Sequence, residues 1–203
     1  MGRVSSGRLF CRFGALALCV VLPGFAFGCG SAKTTGAGSG TTTAASAKLV
    51  APEGAAYAYR VPDGFKSVPG SGPGEHLTTV IPAWLPNHSG TISAFQLTPD
   101  GDIAGAQATD RFLTAFDRQT VAFYRGRGAS VTAGKRTTVA GHPALCWEIR
   151  HFRNSYDGVV DGDACAIVAG SAVVQQGCTW KPATREVVQR GCKALRASLQ
   201  IGS

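Results

Sequence analysis

The segment Ala144-Leu145-Cys146-Trp147-Glu148-Ile149-Arg150-His151-Phe152 decides the fold class of this chain. Leu145, Trp147 and Ile149 alternate with Cys146, Glu148 and Arg150, a period of two that puts the apolar residues on one face of a half-buried strand. His151 reads as part of that apolar face. Two more strand patterns follow at residues 164–168 and 172–178, joined by Gly170-Ser171, and residues 154–162 read as the longer turn before them. Residues 130–139 read as a strand on the other side. Successive strands joined by turns of this kind make an antiparallel sheet.

Further upstream the period changes. Between residues 109 and 124, Phe112, Leu113, Phe116, Phe123 and Tyr124 gather on one face of a helical wheel, Asp110 falls in the first turn, and Gly126 stands where a cap is needed. A second helix is predicted over residues 184–199, with Val187, Val188, Cys192, Leu195 and Leu199 on one side and Gly191 allowing close approach to the sheet. Strands are predicted at 56–61, ending in Pro62-Asp63-Gly64, and at 77–84 and 91–97. The pattern is α+β, an antiparallel β-sheet covered by helices. Residues 49–203 form one domain, large enough to bury about two thirds of its unfolded surface.

The whole chain has 203 residues, 44% hydrophobic and 16% charged, with 27 Gly and 10 Pro. That is one ordinary domain with a glycine-rich extension, and two large domains are excluded. No apolar run reaches the roughly 20 residues of a spanning helix, which excludes a polytopic membrane protein. The formal charge is +8, and removing Arg3, Arg8 and Arg12 with a leader leaves 17 basic residues against 12 acidic, an excess of +5. That excess favours anionic surfaces. No dense Lys/Arg run and no basic patch interleaved with aromatics points to nucleic acid, which is excluded as a partner.

Arg3, Arg8 and Arg12 precede an apolar stretch at 13–27 and then small residues, the layout of a secretory signal over residues 1–28. Pro23 and Gly24 would break a spanning helix there. The stretch ends in Ala26-Phe27-Gly28-Cys29-Gly30-Ser31, which resembles the lipobox of bacterial lipoproteins through Gly28 and Cys29. Ala26 and Phe27 stand where that motif usually has Leu and then Ser or Ala. The resemblance implies acylation (palmitate-type) of Cys29; the rival is an ordinary signal-peptidase cut after Gly28 or Ala32, giving a secreted protein. Cys19, after bulky Leu18, is the poorer acylation site. Residues 30–48 contain only Gly, Ser, Ala, Thr and Lys. They read as a flexible tether with an average reach of about 24 Å.

Seven cysteines sort accordingly. Cys11 and Cys19 leave with the signal, Cys29 takes the lipid, and Cys146, Cys165, Cys178 and Cys192 remain. In an exported chain these four form two disulfides, and the absence of C-x-x-C argues against zinc or a thioredoxin-like centre. Of the three possible connectivities, Cys146–Cys165 with Cys178–Cys192 is favoured. The first pair would lie opposite each other if the hairpin turns at Asn154-Ser155-Tyr156-Asp157, and the second closes a short loop from a strand end onto the last helix. Each would add roughly 3 kcal/mol.

Three short segments carry a family resemblance: Tyr59-Arg60-Val61-Pro62-Asp63-Gly64-Phe65, Val139-Ala140-Gly141-His142-Pro143-Ala144, and Leu195-Arg196-Ala197-Ser198-Leu199. Over roughly residues 55–201 the chain resembles the PsbP-like lipoproteins of Gram-positive actinobacteria. The resemblance implies an α/β/α sandwich on an antiparallel sheet, and members that bind or assist assembly without known catalysis. The four cysteines are not general to that family.

Chemistry-bearing motifs are sparse. There is no G-x-S-x-G, no S-x-x-K and no G-x-x-x-x-G-K-[ST]. His76, His88, His142 and His151 lack metal-ligand spacing. Asp157, Asp161 and Asp163, with Gly158 and Gly162, read as hairpin-turn residues and lack the calcium-loop pattern. Asn87-His88-Ser89 is a glycosylation sequon without meaning in a bacterial lipoprotein. Arg111, Arg118 and Arg125 recur every seven residues as a stripe opposite the first helix's apolar face, a candidate contact for an anionic surface. Arg185, Lys193 and Arg196 form a similar stripe on the last helix, read as a solvated face.

The sequence therefore predicts a non-catalytic, membrane-anchored extracytoplasmic module, monomeric and without cofactor or metal. It would bind a partner protein, a wall polymer or a small apolar ligand. The alternatives are a hydrolase with a dispersed active site and a lipid carrier.

Overall fold

The computed structural model describes residues 49–69, 77–84, 90–99, 101–154 and 158–202. The signal, Cys29, the tether, His76, the 87–89 sequon and residues 155–157 lie outside the described residues. In chain order the elements are β1 (Leu49–Val50), β2 (Tyr57–Arg60), β3 (Phe65–Pro69), β4 (Leu77–Pro82), β5 (Gly90–Leu97) and α1 (Ala106–Arg125). Then come β6 (Ser130–Val131), β7 (Lys135–Val139), β8 (His142–Asn154), β9 (Gly158–Ala169), β10 (Ala172–Trp180), α2 (Arg185–Ser198) and β11 (Gln200–Ile201).

An antiparallel sheet runs in the order β3-β4-β5-β10-β9-β8-β6, with β7 pairing β8 along the same edge as β6. A small sheet, β1-β2-β11, brings Gln200 and Ile201 beside Ala58 and Tyr57. The period-two pattern decides what lies on each face of the large sheet. Leu145, Trp147, Ile149, Ala166 and Val173 pack with Leu113 and Phe116 of α1. Ile92, Ala94, Ile167, Val174 and Trp180 face the other way, against Val188 and Leu195 of α2 and Tyr57 and Tyr59 of the small sheet. The fold is α+β, with helices on both faces of an antiparallel sheet.

Several local readings are corrected. The long turn expected at 154–162 is short, because β9 begins at Gly158. Asp161 and Asp163 are therefore strand residues, half-buried on one face, and do not belong to a turn. His151 leaves the apolar face: the β8–β9 register shifts between Ile149 and Phe152, and His151 is exposed with φ 57°. A bulge inserts one extra residue and so inverts the facing of everything after it. Phe152 thereby returns to the α1 side, edge-on to Tyr124 at 5.1 Å. The His151 N–H donates to Asp161 Oδ1 at 2.9 Å, replacing a bond the ladder loses.

Helix α1 starts three residues earlier than the pattern indicated, so Asp110 lies beyond the first turn, where it pairs with Arg136 at 3.0 Å. Gly126 is the last cap position but is right-handed (φ −62°), and the left-handed residue is Gly128 (φ 77°). Phe123 does not join the core; it is exposed, with the Arg127 guanidinium 3.7 Å above its ring. The strand expected over 130–139 is split into β6 and β7, and in the break Gly134 lies so close to Leu145 and Trp147 that a Cβ there would collide with both. Strand β4 stops at Pro82, leaving Trp84 exposed.

Candidate functional site

Strand alternation places Gln176 and Cys178 of β10 on the α2 face, and register sets Cys178 opposite Asp163 and Gln176 opposite Cys165. Cys165 is in turn the direct partner of Cys146. The structure joins Cys146 to Cys165 across β8 and β9, with Cα atoms 4.1 Å apart, and Cys178 to Cys192 between β10 and α2, with Cα atoms 6.2 Å apart. The first bond locks a strand register; the second pins a helix to the sheet.

Around the second bond lies a polar cluster. Gln176 is fully buried, and all its hydrogen-bonding capacity is directed inward. Its amide Nε2 donates to Cys178 Sγ at 2.9 Å and to Cys192 Sγ at 3.3 Å. Its Oε1 accepts from Arg196 Nε at 2.9 Å and from Arg196 Nη2 at 2.6 Å. The same Nη2 donates to Asp163 Oδ1 at 2.8 Å in a half-buried ion pair. A buried amide next to a guanidinium persists because each polar atom has a partner.

Asp163, Cys192 and Arg196 of this cluster line an open pocket of about 300 Å³. One wall is α2, where Gln189, Lys193 and Arg196 recur at helical spacing; the other is the turn between β7 and β8, at Thr138, Val139 and Ala140. That turn has two central residues, Ala140 (φ 50°) and Gly141 (φ 84°), both left-handed as a two-residue hairpin requires. Left-handed backbone at Ala140 is strained for a residue with a Cβ.

Asp163, Cys178 and Cys192 bring three potential metal ligands within 4.8 Å of one another. Both sulfurs are spent in the disulfide and Asp163 is held by Arg196, so the trio as bonded offers a cation little. Arg196, read as part of a solvated stripe, is instead half-buried and structural, while Lys193 and Arg185 are exposed. Arg111, Arg118 and Arg125 are exposed on α1, which packs on the opposite face of the sheet from α2. Of these, Arg125 also reaches out, donating through Nη2 to Val131 O at 3.1 Å.

Gln176 and Asp163 were missed as site residues. Period-two counting from Cys178 puts Gln176 on the same strand face, directly under any helix that Cys178 is bonded to. That inference was open from the sequence.

Fold and site together define an antiparallel α+β domain, cross-linked twice on its α2 side. No protein-family model matches the chain, and no curated protein matches it in sequence. Among solved structures it is similar to the solution structure of cyanobacterial PsbP (CyanoP) from Synechocystis sp. PCC 6803, with 12% identity and a TM-score of 0.53, over 81% of this chain and 98% of that one. It is also similar to LpqN, described as involved in cell envelope biogenesis of Mycobacterium tuberculosis, with 12% identity and a TM-score of 0.54, over 79% of this chain and 88% of that one. At such identities the likeness is one of fold.

Proposed function

We propose that this chain is an extracytoplasmic lipoprotein, acylated at Cys29, tethered by residues 30–48, and carrying a PsbP-like domain that binds an envelope partner without catalysing a reaction. The observation that carries the reading is the pair of disulfides inside the fold. Such bonds persist in oxidising compartments, and here they follow an export-type leader. The resemblance of three short segments to the PsbP-like lipoproteins of actinobacteria fits the same address, as does the fold shared with an envelope-biogenesis protein. An open pocket whose lining mixes charged and apolar residues suits a partner protein or wall polymer better than an enclosed apolar ligand.

Fractionation of cells expressing the wild-type and Cys29→Ala chains tests the anchor. The wild type should require detergent for extraction, and Cys29→Ala should be released or remain an unprocessed precursor. Equal membrane retention of a correctly cleaved Cys29→Ala chain would overturn the reading. Stable retention needs more than one acyl chain, since a single one binds marginally. Pull-down of the anchored protein from its own envelope identifies the partner.

A further inference from the structure

The two disulfides differ in their surroundings. Among the described residues, no hydrogen bond reaches either sulfur of Cys146–Cys165. The sulfurs of Cys178–Cys192 receive the Gln176 amide at 2.9 and 3.3 Å, and Cys192 Sγ lies 3.7 Å from Arg196 Nη2 and 3.5 Å from Asp163 Oδ1, the carboxylate that Arg196 neutralises. Disulfide sulfur is a weak acceptor, whereas a thiolate is a strong one, so these donors gain most when the bond opens. Cys192 also lines the α2 pocket, with Lys193 and Arg196 on the same wall.

We propose that Cys178–Cys192 is a thiol-exchange site, opened by a small anionic thiol that enters the α2 pocket and attacks Cys192. The incoming thiolate forms a bond to Cys192 Sγ, the Cys178–Cys192 bond breaks, and its electron pair leaves on Cys178 Sγ, where the Gln176 amide already points. A second thiolate then attacks the outer sulfur of the mixed disulfide and releases Cys192 as a thiolate beside Arg196. Two external thiols are oxidised to their disulfide, the protein disulfide is reduced to two thiols, and the two protons end on Cys178 and Cys192.

The pocket's charges select the sign of the thiol. The Lys193 ammonium has no ion-pair partner among the described residues, and Arg196 adds a second cation. Asp163 is the opposing charge, held against Arg196 at 2.8 Å. The balance leaves one positive charge at the mouth, which concentrates anions. Opening the bond frees α2 from its covalent link to β10, so exchange at this site would govern how firmly the pocket's helical wall is held.

The test exposes the intact oxidised chain to mercaptoethanesulfonate or to cysteamine, at matched thiolate concentration and low salt, followed by acid quench, alkylation and peptide mass mapping. Cys178–Cys192 should open before Cys146–Cys165, with the trapped mixed disulfide on Cys192. The anionic thiol should react about tenfold faster than the cationic one. That advantage should shrink at high salt and in Lys193→Gln, an exposed position whose change leaves the fold intact. The proposal is overturned if Cys146–Cys165 opens first or simultaneously, if the adduct sits on Cys178, or if cysteamine reacts as fast as the sulfonate.

Discussion

Asp117 and Trp147 are joined by a 2.7 Å hydrogen bond from the indole N–H to Oδ1, and the same oxygen accepts the Gly134 amide at 2.8 Å. One carboxylate on α1 thus satisfies a buried tryptophan on β8 and the backbone at the break between β6 and β7. Asp117→Ala strands both donors and should cost about 1–3 kcal/mol. Asp117→Asn keeps an acceptor and should recover most of that loss. Urea unfolding followed by tryptophan fluorescence reads both, and equal stability of Asp117→Ala and wild type would show that the contact contributes nothing.

Ala140 pulls in the other direction. It holds φ 50° in a turn whose favoured sequence is Asn-Gly, and Gly141 already supplies the second residue. Ala140→Asn should therefore raise stability by under about 1 kcal/mol, since asparagine tolerates the left-handed region better than alanine. A lower thermal midpoint for Ala140→Asn would mean that the turn is not strained in solution.

Gly191 lies mid-helix, where alanine would ordinarily stabilise by up to about 1 kcal/mol. Here a Cβ would run into the Phe65 ring, with Ile92 close behind. Overpacking should win, and Gly191→Ala should lose about 1–3 kcal/mol despite its better propensity. Phe65→Leu in the same chain should restore part of it, and a stabilised single variant would place α2 further from β3 than the structure has it.

What was legible in the sequence follows from how local each cause is. The strand at Leu145, Trp147 and Ile149 and the helix around Leu113 and Phe116 announce themselves through periodicity, which burial on one face enforces. Strand β3 does not, because Lys66 and Ser67 interrupt its apolar pattern and its residues are mostly half-exposed. Strands β1 and β11 are two residues each and exist only by pairing with β2 from opposite ends of the domain. The bulge at His151 is set by the partner strand, where Asp161 supplies the replacement acceptor. The same holds at the site: Arg196 looks like one more surface cation until the fold brings Gln176 and Asp163, 20 and 33 residues away in sequence, beneath it.

Tyr57 supplies a pH dependence at the alkaline end. Its hydroxyl donates to Ala94 O at 2.7 Å, and burial pushes its pKa up from 10.0 to about 12. The folded state thus prefers the neutral phenol more than the unfolded state does. That preference contributes fully below pH 10.0 and is lost as pH rises toward about 12. Unfolding free energy measured from pH 8 to about 12 should fall in that window, and Tyr57→Phe should flatten the slope there. An unchanged slope would assign the alkaline loss to other groups.

The basic stripe on α1 separates into two kinds of arginine. Arg111 and Arg118 are exposed, and among the described residues the only hydrogen bond either makes is from Arg118 Nε to Thr114 O, one helical turn back, at 3.4 Å. Arg125 instead ties the end of the helix to β6 through Val131 O. Replacing Arg111 and Arg118 with Gln should leave stability within about 0.5 kcal/mol, whereas Arg125→Gln should cost about 1 kcal/mol. Membrane contact divides differently, because each cation near an anionic surface adds about 1 kcal/mol wherever its side chain is anchored. Co-sedimentation of the unlipidated Cys29→Ala chain with anionic and neutral vesicles should show binding to the anionic set at low salt. That binding should fade as the screening length shortens to about 8 Å and weaken in the Arg111→Gln, Arg118→Gln double variant. Equal binding by the double variant and the parent would leave the stripe a solvated face, and equal binding to neutral vesicles would remove electrostatics from the contact.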